Sequence, residues 1–200
     1  MSESRYAGEL PECASRRNLL RAAGGVALLL GASPWLSAKE LSADPRKRPP
    51  QTGDELVRVN DDGEAELIAA KIVPLHAPPR MVYPRDPATQ VVRDRSRLNQ
   101  ILLLRFETQE LSVETRAHSV DGIVAYSGIC THAACSVTEW DAQALRLICP
   151  CHASQYDPRE QARRIAGPAP RALPALPLKQ RDGKLIVAAV FIGPVGAAKA

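Results

Sequence analysis

Six residues in two short boxes carry the chemistry of this 200-residue chain. The first box reads Cys130-Thr131-His132-Ala133-Ala134-Cys135. The second reads Cys149-Pro150-Cys151-His152-Ala153-Ser154-Gln155-Tyr156-Asp157. Each box supplies two Cys and one His, and each begins where a strand pattern ends. Thiolates and imidazoles at such short spacing suit a soft transition-metal centre held between two loops. No acid/base pair, activated nucleophile or phosphate-cradling glycine loop stands out beside them.

Three centres draw on these residues. Two disulfides in an exported protein would use the four Cys and leave both His without a role. Zinc would take two Cys and two His tetrahedrally and leave one Cys spare in each box. A 2Fe-2S cluster would take one Cys pair and one His pair, with the remaining Cys of each box free to bridge the loops. Only the last employs all six residues.

The pattern Cys-Thr-His-x-x-Cys followed by Cys-Pro-Cys-His-x-Ser-x-Tyr-Asp resembles the paired signature of high-potential Rieske iron–sulfur proteins. These include the proteins of cytochrome bc and b-f complexes and the small subunit of arsenite oxidase. Gly167-Pro168-Ala169-Pro170 resembles the proline loop that covers the cluster in the bc and b-f proteins. The resemblance implies that Cys130 and Cys149 bind the buried iron, and that His132 and His152 bind the outer, reducible one. It implies a disulfide between Cys135 and Cys151, and hydroxyl donors at Ser154, toward a bridging sulfide, and Tyr156, toward a ligand Cys sulfur. Imidazole ligands and donors to sulfur both ease the uptake of an electron, so a positive potential is expected. The sequence departs from the bc pattern at Ala133 and Ala134, where Leu-Gly is usual, and at Ala153, where Gly is usual. An Ala there costs roughly 1 kcal/mol if its φ is positive.

The implied function is one-electron transfer, as the iron–sulfur subunit of a quinol:cytochrome c reductase-like complex. The alternative is the small electron-transfer subunit of a periplasmic molybdenum oxidoreductase resembling arsenite oxidase. The expected donor is a membrane cytochrome b-type or molybdopterin catalytic subunit, and the acceptor a c-type cytochrome or similar protein. With 26 basic against 22 acidic residues, a net charge of +4 gives no argument for nucleic acid.

Strands must position these boxes. Short runs rich in Ile, Leu and Val at residues 66–73, 101–106, 122–127, 144–149 and 185–191 are separated by turn chemistry at Asp61-Asp62-Gly63, Asp121-Gly122 and Arg181-Asp182-Gly183. A short helix fits residues 107–116, and five prolines between Pro74 and Pro87 suggest a surface excursion. Seventeen prolines and eight aromatics also point away from a helical bundle. The expected fold is all-β: a Rieske-type antiparallel β-sandwich with a cluster-binding subdomain of two loops, over residues 54–200. His76, His118 and the Trp140-Asp141 turn read as ordinary surface features.

The N-terminus reads as an address. Arg16-Arg17 precede an uncharged run from residue 22 to residue 38, the layout of a twin-arginine-like export signal. Residues 1–38 are therefore expected to be a signal, or an uncleaved anchor spanning the membrane at 22–38, and the protein to be periplasmic, soluble or membrane-bound. Export of an already folded protein suits a cluster assembled in the cytosol and a disulfide formed outside it. Residues 39–53, with Pro45, Pro49 and Pro50 around Arg46-Lys47-Arg48, read as a solvated tether. Cys13 falls in the signal and has no part in the centre.

Overall fold

In the computed structural model, residues 44–197 are described. The expected signal or anchor segment, residues 1–38, and Cys13 lie outside them. Eleven strands account for most of the regular structure. They are β1 (Glu55–Val59), β2 (Ala65–Leu67), β3 (Arg80–Arg85), β4 (Ile101–Arg105), β5 (Ile123–Ser127), β6 (Glu139–Asp141), β7 (Arg146–Ile148), β8 (Gln155–Asp157), β9 (Arg163–Ala166), β10 (Leu178–Arg181) and β11 (Lys184–Val187). One short helix, α1 (Val113–Arg116), falls within the expected 107–116 stretch, after a 3-10 turn at Thr108–Glu110.

The strands form two antiparallel sheets. The larger runs in the order β10-β11-β1-β3-β4-β5 with β2 on β1, and the smaller is β6-β7-β8-β9. β4 and β5 form the wall between two cores. Leu102, Leu104, Val124 and Tyr126 face a core shared with Leu147, Tyr156 and Leu173 of the small-sheet region. Their alternating neighbours Ile101, Leu103, Ile123 and Ala125 face a second core with Leu56, Val82 and Leu185. Successive side chains of a strand point to opposite faces, so a strand covered on both sides reads as a continuous apolar run. That is why these two strands were legible and the short, half-polar ones were not.

Several sequence expectations change, among them the run at 66–73, which is the short β2 followed by a 3-10 turn at Ala70–Ile72. The proline-rich stretch from Pro74 to Pro87 is not all excursion, because Arg80–Arg85 is an interior strand with Pro84 buried opposite Leu56. The ladder tolerates this proline because β4 pairs only with Arg80, Met81 and Val82, so no N–H is needed at Pro84 on that side. Trp140 and Asp141 belong to β6 rather than a turn, with Trp140 opposite Leu147 and packed on the small-sheet core.

The described part of the expected tether, residues 44–53, also lies against the domain. Pro50 is buried, Arg46 makes a two-pronged pair with Asp94 at 2.8 and 2.6 Å, and Asn99 Nδ2 donates to the Arg48 carbonyl at 2.7 Å. Just beyond it, Asp54 and Arg93 form a buried pair with contacts of 2.8 and 3.1 Å. A proline-rich segment has few donors but keeps every carbonyl, and here Asn99, Arg93 and Arg95 supply the missing N–H groups. Among the described residues no helix is long and apolar enough to cross a membrane.

Candidate metal centre

The two boxes fold into loops of the same design. Box 1 follows β5, and box 2 joins β7 to β8. In each, the first Cys carbonyl accepts from the N–H four residues on: Ala134 to Cys130 at 3.1 Å, Ala153 to Cys149 at 3.0 Å. In each, the first Cys N–H donates to the carbonyl five residues on: Cys130 to Cys135 at 2.8 Å, Cys149 to Ser154 at 2.9 Å. The turn this requires puts the fourth residue after the first Cys in the left-handed region, with φ 56° at Ala134 and 54° at Ala153. Side chains strain there, so the Ala-for-Gly departures carry their cost.

The loops close on one another. Cys135 and Cys151 form a disulfide across them, with Cα atoms 6.6 Å apart. Cys130 and Cys149 are both free and buried beneath it. The two imidazoles meet at the surface, with Nδ1 of His132 3.2 Å from Nδ1 of His152 and the rings edge to face. A buried thiol pair below an exposed imidazole pair is the donor set that the sequence proposed. The sulfurs of Cys135, Cys149 and Cys151 also lie within 4.8 Å of one another. Two of those are spent in the disulfide, so this trio is not a thiolate site.

The electrostatics favour a thiolate at Cys130. Burial pushes its thiol up, but the Tyr156 hydroxyl, 3.2 Å from Sγ, and the N–H groups of His132 and Ala133 outweigh that and hold it below the usual range. Cys149 is pushed up by burial first, against the opposing N–H of Cys151, and further by the neighbouring Cys130. Tyr156 is itself held well above the ordinary phenol range by burial and by the Cys130 sulfur. Donors aimed at sulfur are what a ligating thiolate needs, so the residues fit an iron–sulfur group.

The proline loop spans both boxes. Ser154 is fully buried and its Oγ accepts from the Ala169 N–H at 3.2 Å. Gly167 has φ +84°, and a Cβ there would lie 2.5 Å from the Ser154 Cα, so the loop rests directly on box 2. One residue past Pro170, the Arg171 carbonyl accepts from Thr131 Oγ1 at 2.7 Å and ties the loop to box 1. Thr131 and Arg171 were not singled out in the sequence, although Thr131 lies inside the motif. His76, read as a plain surface residue, pairs with Glu110 at 2.6 Å, far from any thiol partner in the hydrogen-bond pattern.

Relieving the backbone strain gives a direct check. Ala153→Gly is expected to raise unfolding free energy by about 0.5–1 kcal/mol, the left-handed penalty less the entropy cost of Gly. The urea midpoint of the two proteins measures it, and a lower midpoint for the Gly variant would contradict the assigned loop strain.

The sequence family described as "Rieske [2Fe-2S] domain" matches residues 88–177. The cytochrome bc1 complex Rieske iron-sulfur subunit of Corynebacterium glutamicum is 34% identical over 157 residues, covering 72% of this chain and 38% of that protein. The subunit of the same name from Streptomyces lividans is 39% identical over 100 residues, covering 49% of this chain and 59% of that one. The chain thus spans less than two thirds of the length of these curated relatives. A solved chain titled "Hyperthermophilic respiratory Complex III" overlays with a TM-score of 0.40 at 22% identity, covering 60% of this chain and 72% of that chain.

Proposed function

Because the chain carries a Rieske 2Fe-2S domain, with the Rieske-type cluster as its cofactor, we propose that it is the one-electron transfer subunit of a quinol:cytochrome c reductase-like complex. Cys130 and Cys149 would hold the inner iron, and His132 and His152 the outer one. The observation that carries the reading is the imidazole pair, Nδ1 to Nδ1 at 3.2 Å, at the surface above two buried free thiols. The bound cluster supplies a one-electron store whose potential is raised by imidazole ligation.

The chain's own residues do the rest. With each Nδ1 turned toward the other ring, Nε2 is the atom of each imidazole left for an outside partner. A quinol hydroxyl hydrogen-bonded at that nitrogen would be held within electron-transfer reach. Tyr156 stabilises charge on the Cys130 sulfur, Ser154 offers its O–H toward the centre while its Oγ holds the proline loop, and that loop excludes water from the flank of both boxes. The disulfide keeps the two ligand pairs in register. The relatives' names, subunits of cytochrome bc1 complexes, support the bc1-type reading. The proposed partners are a membrane cytochrome b-type donor and a c-type cytochrome acceptor, and the twin-arginine-like segment supports a head on the exported side of the cytoplasmic membrane.

Metal analysis joined to electron paramagnetic resonance tests this reading. The purified protein is expected to hold about two irons and two labile sulfides, and to give a signal only when reduced. A zinc-loaded, spectroscopically silent protein would sink it. Within that experiment, Tyr156→Phe is expected to lower the midpoint potential by about 60 mV. A hydrogen bond to charged sulfur is worth roughly 1.4 kcal/mol, a tenfold factor for one electron. An unchanged midpoint removes Tyr156 from the donor set.

A further inference from the structure

The near-balance of charge over the whole chain hides a separation. The segments tied by contacts to the two boxes and the proline loop are residues 97–100, 128–138, 149–156, 163–175 and 192–197. They contain four Arg, at 97, 163, 164 and 171, and not one Asp or Glu. Three of these guanidiniums are fastened to the backbone of those very segments. Arg97 Nη2 donates to the Ala134 carbonyl in box 1 at 3.1 Å, and Arg164 Nη1 to the Gly167 carbonyl in the proline loop at 3.1 Å. Arg171 Nη1 and Nη2 donate to the carbonyls of Pro194 and Gly196 at 2.6 and 2.5 Å, while its own carbonyl holds Thr131, next to His132.

None of the three is neutralised. Among the described residues the ion pairs fall on Arg46, His76, Arg85, Arg93, Arg159 and Lys184, and no carboxylate reaches Arg97, Arg164 or Arg171. Glu139, the carboxylate next in sequence after box 1, begins β6 outside the loop. A guanidinium on a carbonyl keeps its full charge and loses much of its freedom, so these charges are fixed in direction as well as in sign. Ala133, beside His132 in box 1, is exposed and small. Leu98 and Ile192, each 48% exposed in these segments, add apolar contact, and the arginine rim adds the charge that orients a partner.

We propose that this face is the docking surface for a redox protein that presents carboxylates around its own electron-transfer site. The inference rests on the proposed electron-transfer role and names the chemistry of the partner. The fixed arginines steer an acidic face onto the imidazoles, where the electron must cross. An anionic membrane or a nucleic acid would answer the same charge but would cover the imidazoles with a surface that takes no electron. Rim charges of this kind act on the rate of encounter and its salt dependence.

Stopped-flow oxidation of the reduced, cluster-loaded full chain tests it with three probes. They are a soluble c-type cytochrome with a carboxylate-rich haem face, one with a lysine-rich haem face, and neutral benzoquinone. The acidic cytochrome is expected to react roughly tenfold faster than the basic one, with that advantage lost as salt rises from about 0.02 to about 0.3 M. Arg97→Gln with Arg164→Gln is expected to slow the acidic cytochrome about tenfold and leave benzoquinone and the paramagnetic spectrum unchanged, while the two Lys replacements restore the rate. Equal rates with both cytochromes, a salt-independent rate, or a full-rate Gln variant overturns the proposal. So does tighter binding of the chain to phosphatidylglycerol vesicles or single-stranded DNA than to the acidic cytochrome. In these cases benzoquinone still oxidises the protein and the electron-transfer role survives. A chain that yields its electron to none of the three overturns that role as well.

Discussion

Cys149→Ala should reduce bound iron from about two atoms per chain to near none, with the folded domain retained. The side chain is 1% exposed and forms half of the buried thiol pair. Among the described residues no spare thiol can take its place. Cys135 and Cys151 are joined to each other, and the backbone N–H groups of Cys151 and His152 point at the Cys149 sulfur. An alanine removes the ligand and leaves those donors facing a methyl group. Iron and labile-sulfide assays on the purified variant, beside its far-ultraviolet circular dichroism, give the answer. A native circular dichroism spectrum with iron near zero supports the assignment. A variant that keeps its full iron and paramagnetic signal shows that Cys149 is not a ligand.

The second large effect concerns the bond that ties the boxes. Replacing Cys135 and Cys151 together by Ser should cost about 3 kcal/mol of stability, from the loop-closure entropy of a segment this long. The bridge joins residues 16 apart, the last of box 1 and the third of box 2. Its loss differs in kind from the loss of a ligand. The four proposed ligands remain and the loops keep their internal N–H to carbonyl bonds, so iron is expected to be present as purified but to leave faster on dilution or warming. The urea midpoint and the decay of the visible spectrum at fixed temperature separate the two effects. If the double Ser variant holds its cluster as long as the parent, the bridge has no part in retaining it.

How much of this was open to reading from the chain alone varies by element. β4, β5 and β11 were readable because their apolar runs are buried on one or both faces. β3 was hidden by Pro84, since the tolerance of a proline depends on how far β4 extends beside it. The strands β6, β8 and β9 are three or four residues long and carry Glu139, Gln155, Arg163 and Arg164, so no period stands out. The tether read correctly as proline-rich and basic, but its contacts with Asp94 and Asn99 lie 48 and 51 residues away.

The centre itself was the most legible part, for a chemical reason. Metal ligation depends on residue type and short spacing, and both are local properties of the chain. The two boxes, their six Cys and His and the proposed Ser and Tyr donors could all be named from residues 130–156. The sequence likewise determined that Ala occupies two positions where Gly is usual, but not whether those positions are strained. The tertiary structure decided that, through the N–H to carbonyl bonds that force a positive φ at Ala134 and Ala153. It also decided which thiols pair, and it tied Arg97, Arg164 and Arg171 to the backbone of box 1, the proline loop and the segment at 194–196. Their partners are carbonyls, which every residue possesses. No pattern of side chains along the chain can mark which carbonyl an arginine 37 residues away will find.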